Sequence, residues 1–317
     1  MKLAIGSGVA FRAPLLQHGR AALDEPGRLR SHLAWWKKQG VEGIVFYDNY
    51  PDFYQRPIEH FRVLKTVLDE VGLPVGAFNA LRKSLFVPEL ADLDEKQLYR
   101  CLEVAVALGT TILDLSVNVP LPSQRDAQTA ATRQLFRGDY APAEFYEEAA
   151  RRLKPFVRAC AQAGLELSLE LHDDGLQDTA DNCLRLLHLI DEPNVGVNPD
   201  LGNWARVHYE HLDTWRDQVG KLAAKTNYWE VKNYRSIYLP SEHRYQSWPT
   251  LLDEGMIDFR EAATILWQAG FRGWVGNEGG AGDYVRAQLH FIEYFRWILD
   301  EWIPTALSEI PPPSERG

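Results

Sequence analysis

The sequence predicts a single (β/α)8 barrel, and three observations carry that prediction. Short apolar runs alternate with longer amphipathic ones eight times along the 317 residues. Five of the amphipathic runs end in Gly, the residue favoured just past a helix C-terminus. No stretch rich in Pro, Gly or Ser divides the chain into halves. Eight βα units in roughly 300 residues fit one barrel better than two doubly wound domains.

Taken in order, the strands are expected at 2–7, 43–48, 74–79, 111–118, 165–172, 194–200, 227–233 and 273–279. The opening MKLAIGSGVAFRAPLL has an apolar run broken by Gly6, Gly8 and Arg12, too short for a secretory leader, so it reads as the first strand. Its GSGVAF segment lacks the full dinucleotide-binding fingerprint. Helices are expected over 28–39, 59–71, 95–108, 144–163, 178–191 and 259–269. The one at 178–191 opens on Asp178 or Thr179 as a cap and gathers Cys183, Leu184, Leu187 and Ile190 on one side. The barrel is expected over 1–303, with 304–317 as a disordered or surface-laid tail ending IPPPSERG.

Composition narrows the functional classes. The chain is 45% hydrophobic and 25% charged, with a formal net charge of −10, so it has no basic footprint for nucleic acid. No apolar run reaches the length of a membrane span. Cys101, Cys160 and Cys183 show neither metal nor redox spacing, which predicts reduced, buried thiols in a cytoplasmic protein.

In a barrel, chemistry gathers at the C-terminal strand ends on the inward face. The fifth strand reads L-E-L-S-L-E-L-H, a period-two alternation. Leu165, Leu167, Leu169 and Leu171 then face the helices, and Glu166, Ser168, Glu170 and His172 face inward. A solvated polar face is the competing account, and parallel barrel strands have none. On the sixth strand Gly196, Asn198 and Asp200 share a parity, with Asp200 at the tip; an ordinary turn Asp would also fit there. The eighth ends VGNEGG, placing Glu278 before two glycines, where a plain loop Glu is the alternative. The seventh, YWEVKNY, puts Glu230 and Lys232 on one face. Four carboxylates at four successive strand ends cannot all ionise in one buried place without a compensating cation. A divalent metal with oxygen and imidazole ligands is the economical solution.

These pieces, SLELHDD, NVGVNPDLGNW, YWEVKNY and DEGMIDFREAATILWQAGFRGWVGNEGG, resemble the xylose-isomerase-like TIM barrels of the sugar isomerase/epimerase superfamily over nearly the whole chain. In such enzymes a Glu, an Asp, a His and a second Glu from strands five to eight hold one divalent metal. The resemblance carries Glu170, Asp200 and Glu278 onto three of those positions. The third departs: the usual His-x-Lys-Asp reads Glu230-Val231-Lys232-Asn233. Glu230 is then either a fourth, oxygen ligand or the partner of Lys232. Mn2+ or Mg2+ suits the oxygen set best, with Zn2+ and Co2+ as further candidates. Asn203 stands where the endonuclease-like branch carries a His, and together with the acidic charge this argues against a nuclease.

The implied activity is a metal-dependent isomerase or epimerase of carbohydrate metabolism acting on a keto sugar or polyol through an enediolate. Glu170 and Glu278 resemble the residues that exchange the α-proton on opposite faces of the substrate. His172 and Lys232 are expected as donors to substrate oxygens or a relay, against a supporting hydrogen bond for His172 and charge balance for Lys232. The same intermediate permits β-elimination, which would make the protein a dehydratase or lyase on an inosose or 3-keto-glycoside. A barrel that binds sugar without turnover, or serves as a partner subunit, is the non-enzymatic alternative. Asn198, Trp204, Arg235, His243 and Trp248 are the expected substrate contacts, the last two within a long loop over 236–259 and Arg235 just before it. The partners expected are a small carbohydrate or polyol and a second copy of the chain.

Overall fold

Trp274 lies across the bottom of a barrel of eight parallel strands. The architecture comes from a computed structural model that describes residues 1–11, 26–119, 137–211 and 213–309. The barrel strands are β1 (Lys2–Gly6), β2 (Gly43–Tyr47), β3 (Val75–Lys83), β4 (Ile112–Val117), β5 (Glu166–Glu170), β6 (Val195–Asn198), β7 (Trp229–Val231) and β10 (Trp274–Asn277). Their order is β6-β5-β4-β3-β2-β1-β10-β7. A single parallel bridge from Val197 to Thr226 brings β6 against β7 and nearly closes the ring. All eight expected strands are therefore present, in the expected (β/α)8 arrangement.

Between the strands run α1 (Ser7–Ala10), α2 (Pro26–Lys38), α3 (Ile58–Val71), α4 (Pro88–Leu108), α5 (Ala143–Gln162), α6 (Ala180–Ile190), α7 (Leu201–Ala205), α8 (Trp215–Leu222), α9 (Phe259–Gln268), α10 (Tyr284–Trp297) and α11 (Ile303–Glu309). Thr179 caps α6 by accepting from the Asn182 amide at 3.3 Å. Leu186 joins Cys183 and Ile190 on the buried face of α6, while Leu184 and Leu187 are half-buried, a small rotation from the expected stripe. Helix α11 takes up the first part of the expected tail and buries Ile303; the IPPPSERG end lies outside the described residues. No described helix is long and apolar enough to cross a membrane. Cys101, Cys160 and Cys183 are buried free thiols, and burial pushes those of Cys101 and Cys160 up to about 12.

Strand alternation sorts the side chains into two cores. Leu3, Ile5, Phe46, Phe78, Leu113, Leu115, Leu167, Leu169, Val197, Trp229 and Val275 point outward and pack under the helices. Ala4, Val45, Tyr47, Ala77, Ile112 and Tyr228 point inward and fill the barrel, with Trp274 packed against them. Gly43 and Gly76 make room for Trp274: a Cβ on either would come within 2.6 Å and 2.5 Å of its ring. Gly76 is also the extra residue that shifts the β2–β3 register, since Ile44 pairs with Val75 and Val45 with Ala77. A second extra residue lies on β3 between Asn79 and Arg82, where Leu81 adopts a φ of 47°. Asn79 Oδ1 holds this bulge by accepting from the Leu81 amide at 2.7 Å.

The segment expected as a long loop is instead an antiparallel hairpin of β8 (Asn233–Leu239) and β9 (Arg244–Thr250). It leaves the top of β7 and lies against the chain after α7, with Tyr245 N donating to His208 O at 2.8 Å and Ser247 Oγ to Arg206 O at 2.7 Å.

Candidate metal and proton-transfer centre

At the C-terminal mouth, one oxygen each from Glu170, Asp200, Glu230 and Glu278 lie within 4.8 Å of one another. Each arrives by a different local device. Glu170 ends β5, where strand parity turns it inward opposite the outward Leu169. Asp200 caps α7: its Oδ1 accepts from the amides of Gly202 (2.9 Å) and Asn203 (3.3 Å), leaving Oδ2 for the centre. Glu230 is the middle residue of β7, fully buried on the floor of the site. Glu278 follows β10 on the rim, with its side chain 38% exposed.

Glu230 does not pair with Lys232. Its Oε1 accepts from the Tyr47 hydroxyl and its Oε2 from Asn79 Nδ2 at 3.1 Å, while Asn198 Oδ1 receives its backbone N–H at 2.7 Å. Lys232 instead bridges two of the other three carboxylates, at 2.8 Å from Asp200 Oδ2 and in direct contact with Glu278 Oε2. Asn203 draws Glu170 and Asp200 together, its Nδ2 donating to Glu170 Oε1 and Asp200 Oδ2, each at 2.8 Å. This is why an amide serves there: a neutral donor ties two acceptors without adding charge.

The charges are unbalanced. One ammonium faces four carboxylates, so burial and mutual repulsion push the Glu170 and Glu230 carboxyls well above the ordinary glutamate value. Burial also raises Asp200, although Lys232 opposes it. At Glu278 the loss of solvent is outweighed by Lys232 and Arg206, which hold the carboxyl below its usual value. Burial alone would discharge Lys232, yet Asp200 and Glu278 keep its ammonium well above the ordinary lysine range.

An all-oxygen set with residual negative charge fits a hard divalent cation such as Mg2+ or Mn2+ better than a thiophilic one. Among the described residues, Glu170, Asp200, Glu230 and Glu278 are the group with that spacing.

Other expected site residues fall elsewhere. His172 lies just past Glu170, with Nδ1 2.6 Å from the Asp173 carbonyl and 3.2 Å from Asn118 Nδ2. Burial holds the imidazole well below the usual histidine value, against the pull of Asp173, so the ring is neutral at pH 7. A carbonyl only accepts, so the proton sits on Nδ1 and Nε2 offers a lone pair.

Asn198 is fully buried beneath the centre, where its Nδ2 donates to Asp114 (3.2 Å) and its Oδ1 serves Glu230. It thus supports the carboxylates from below. Trp204 is buried and stacks on the His211 ring at 3.7 Å between centroids, because α7 turns it under the following loop. Arg235 and Trp248 are cross-strand partners on the hairpin, with Trp248 44% exposed and Arg235 Nε donating to Glu254 O. His243 lies exposed at the hairpin turn with a φ of 48°.

Four groups around the centre were not expected from the sequence: Tyr47, Asn79, Asp114 and Arg206. Asp114 is fully buried on β4, its Oδ2 accepting from Asn79 (3.0 Å) and Asn198, and burial raises its carboxyl well above the usual aspartate value. Its signal was present, since Ile112, Asp114 and Ser116 share the inward parity that singled out Glu170.

Fold and centre together define a (β/α)8 barrel with an acidic cluster at its C-terminal mouth. The chain belongs to the family of xylose isomerase-like TIM barrels, whose model matches residues 33–295. Its fold is similar to that of a xylose isomerase-like TIM barrel protein from Mycobacterium smegmatis solved in complex with magnesium. That likeness has a TM-score of 0.78 at 21% identity over 95% of this chain and 97% of that one. An L-ribulose 3-epimerase aligns at TM-score 0.69 and 16% identity, over 98% and 100% of the two chains. Mannonate dehydratase from Streptococcus suis serotype 2 aligns at 0.68 and 13%, over 96% of each. No curated protein matches the chain by sequence.

Proposed function

We propose that the protein is a divalent-metal-dependent isomerase or epimerase that moves a proton at the carbon beside the carbonyl of a keto sugar. The observation that carries this reading is the convergence of four carboxylates on one point at the barrel mouth. Glu170, Asp200, Glu230 and Glu278 would hold the ion. When bound, it supplies the positive charge that stabilises an oxyanion next to the reacting carbon.

The chain's own groups then divide the work. Glu170 and Glu278 come from β5 and from the end of β10, bracketing the β6 and β7 ligands, so they approach a substrate from two sides. One carboxylate removes a proton and the other returns one, and which does which decides the stereochemistry. Lys232 remains protonated between Asp200 and Glu278 and is placed to donate to a substrate hydroxyl. Neutral His172 offers Nε2 as an acceptor. The magnesium complex and the L-ribulose 3-epimerase among the similar folds support this reading. A small carbohydrate is the substrate class it implies, and the cytoplasm its compartment.

The test is exchange of the α-proton with D2O across a panel of ketohexoses, ketopentoses and the corresponding keto sugar acids, using protein loaded with Mn2+. Glu170→Gln and Glu278→Gln should each lower exchange by about 10²–10⁴-fold while leaving the fold intact. Exchange that is absent from the wild type, or unaffected by both changes, sinks the proposal. A dehydratase is the second reading, because the mannonate dehydratase fold is about as similar as the epimerase fold. The same assay separates the two, since elimination yields a product lighter by one water.

A further inference from the structure

Arg206 closes α7 as its C-terminal cap, and the hairpin fixes its backbone through Ser247 Oγ. Its guanidinium is clamped along one edge: Nε donates to Asp173 Oδ1 at 2.9 Å and Nη2 donates to the same oxygen. Asp173 is buried and itself lies 3.2 Å from His172 Nδ1, so the clamp is rigid. Nη2 also stands 3.5 Å from His172 Nε2. The side chain nevertheless keeps 25% of its exposure, and Nη1 has no hydrogen-bond partner among the described residues. Because His172 stands two residues past Glu170, the contact with its ring brings the guanidinium to the edge of the carboxylate centre, whose Asp200, Lys232 and Glu278 feel its charge.

Asp173 balances the charge of Arg206 but leaves Nη1 with N–H donors that no described residue accepts, so a strong acceptor is what the position lacks. The other cations nearby are engaged: Lys232 by Asp200 and Glu278, and Arg82 by Asp174 and the Asp173 carbonyl. Nη1 presents N–H donors on a pre-oriented guanidinium, and a carboxylate is the strongest acceptor a sugar-derived ligand offers them. A phosphate dianion would call for more charge than this one group offers. We propose that Arg206 is a specificity residue that selects a sugar acid, receiving its carboxylate on the Nη1 side while the hydroxylated chain extends toward Glu170 and Glu278. The inference rests on the proposed proton-transfer centre only for where the rest of the substrate lies.

The test titrates D-gluconate and sorbitol, which differ at one end by carboxylate against hydroxymethyl, into wild-type protein, Arg206→Gln and Arg206→Lys. Calorimetry is run with and without Mn2+, and thermal unfolding checks each variant's fold. Wild type should bind gluconate at least ~10-fold more tightly than sorbitol. Arg206→Gln should abolish that preference without changing sorbitol binding, and Arg206→Lys should retain part of it through charge without the fixed placement of the guanidinium. If Arg206→Gln does not fold, the Lys variant alone decides by the size of its preference. The proposal is overturned if gluconate binds no better than sorbitol to wild type, or if both variants keep the wild-type preference, as they would were the carboxylate held by the metal. A preference that survives without Mn2+, in protein that exchanges no α-proton, would instead remove the proton-transfer reading and leave Arg206 its role.

Discussion

Asp114 has its whole side chain inside the barrel, two amide donors on Oδ2 and no partner for Oδ1. Its folded carboxyl titrates above the unfolded one, so the neutral form is favoured by burial. That stabilisation is present below the ordinary aspartate pKa and is lost as pH rises through the raised folded value. Asp114→Asn keeps the acceptor and removes the titration. The variant should therefore melt a few degrees higher than wild type at about pH 8, with a flatter stability profile. A lower melting temperature at every pH would refute this account. The residue also shows how far the sequence could be read. Glu170 stood out because four polar residues alternated with four leucines, whereas Asp114 stands in a shorter alternation with one serine. Tyr47 and Asn79 carried no signal of their own, because an aromatic or an amide at a strand end reads equally well as packing. Their roles come from Glu230, a partner more than 150 residues away.

The hairpin is the element the sequence hid. Its turn contains neither Asn-Gly nor Asp-Gly, and His243 supplies the left-handed residue that Gly or Asn usually provides. The alternation of polar and apolar residues is also broken, since exposed Ile237 and Trp248 share a face with Arg235. A polar stretch without turn chemistry reads as loop, and this one did. The anchor of the hairpin was visible but took another meaning. Asn233 stands where the resemblance expects Asp, and the structure gives the reason for the amide. Its Nδ2 donates to the carbonyls of Leu252 (2.7 Å) and Ile257 (2.9 Å), and its Oδ1 accepts from the amides of Tyr234 (3.0 Å) and Ile257 (3.1 Å). An aspartate could satisfy only the second pair. Asn233→Asp should cost about 1–3 kcal/mol or more by turning a carboxylate oxygen toward two buried carbonyls. Chemical denaturation measures it, and an unchanged midpoint would show that the loop relaxes around the charge.

For the whole molecule, the carboxylate centre couples stability to pH and to metal. Glu170, Asp200, Glu230 and Asp114 all have raised folded values, so metal-free protein loses their favourable neutral forms as pH climbs from the ordinary carboxylate range through those raised values. Glu278 and Asp173, held low by Lys232 and Arg206, act in the opposite sense. A bound cation favours the ionised carboxylates, so Mn2+ should raise the melting temperature more at about pH 8 than at about pH 5. At a hundredfold excess over its dissociation constant, the ion should add about 2.7 kcal/mol, or roughly 4 °C for a chain of 317 residues. Identical melts with Mn2+ and with EDTA at both pH values would mean that the four carboxylates bind no ion. Barrel, strand order of the ligands and the four acidic residues were legible because each follows from local periodicity. How Lys232 is shared was not, because it depends on where three separate strands place their ends.

Trp274 gives the barrel a different kind of constraint. The indole fits only because Gly43 and Gly76 have no side chains, and Lys2 sits over it at 5.2 Å. Any side chain at either glycine needs a smaller residue at 274, and a smaller residue at 274 opens a void that only larger neighbours refill. The three positions, more than 190 residues apart at their extremes, are thus a single unit of inheritance. Across related barrels they should change together or not at all, although none of them comes near the chemistry at the other end.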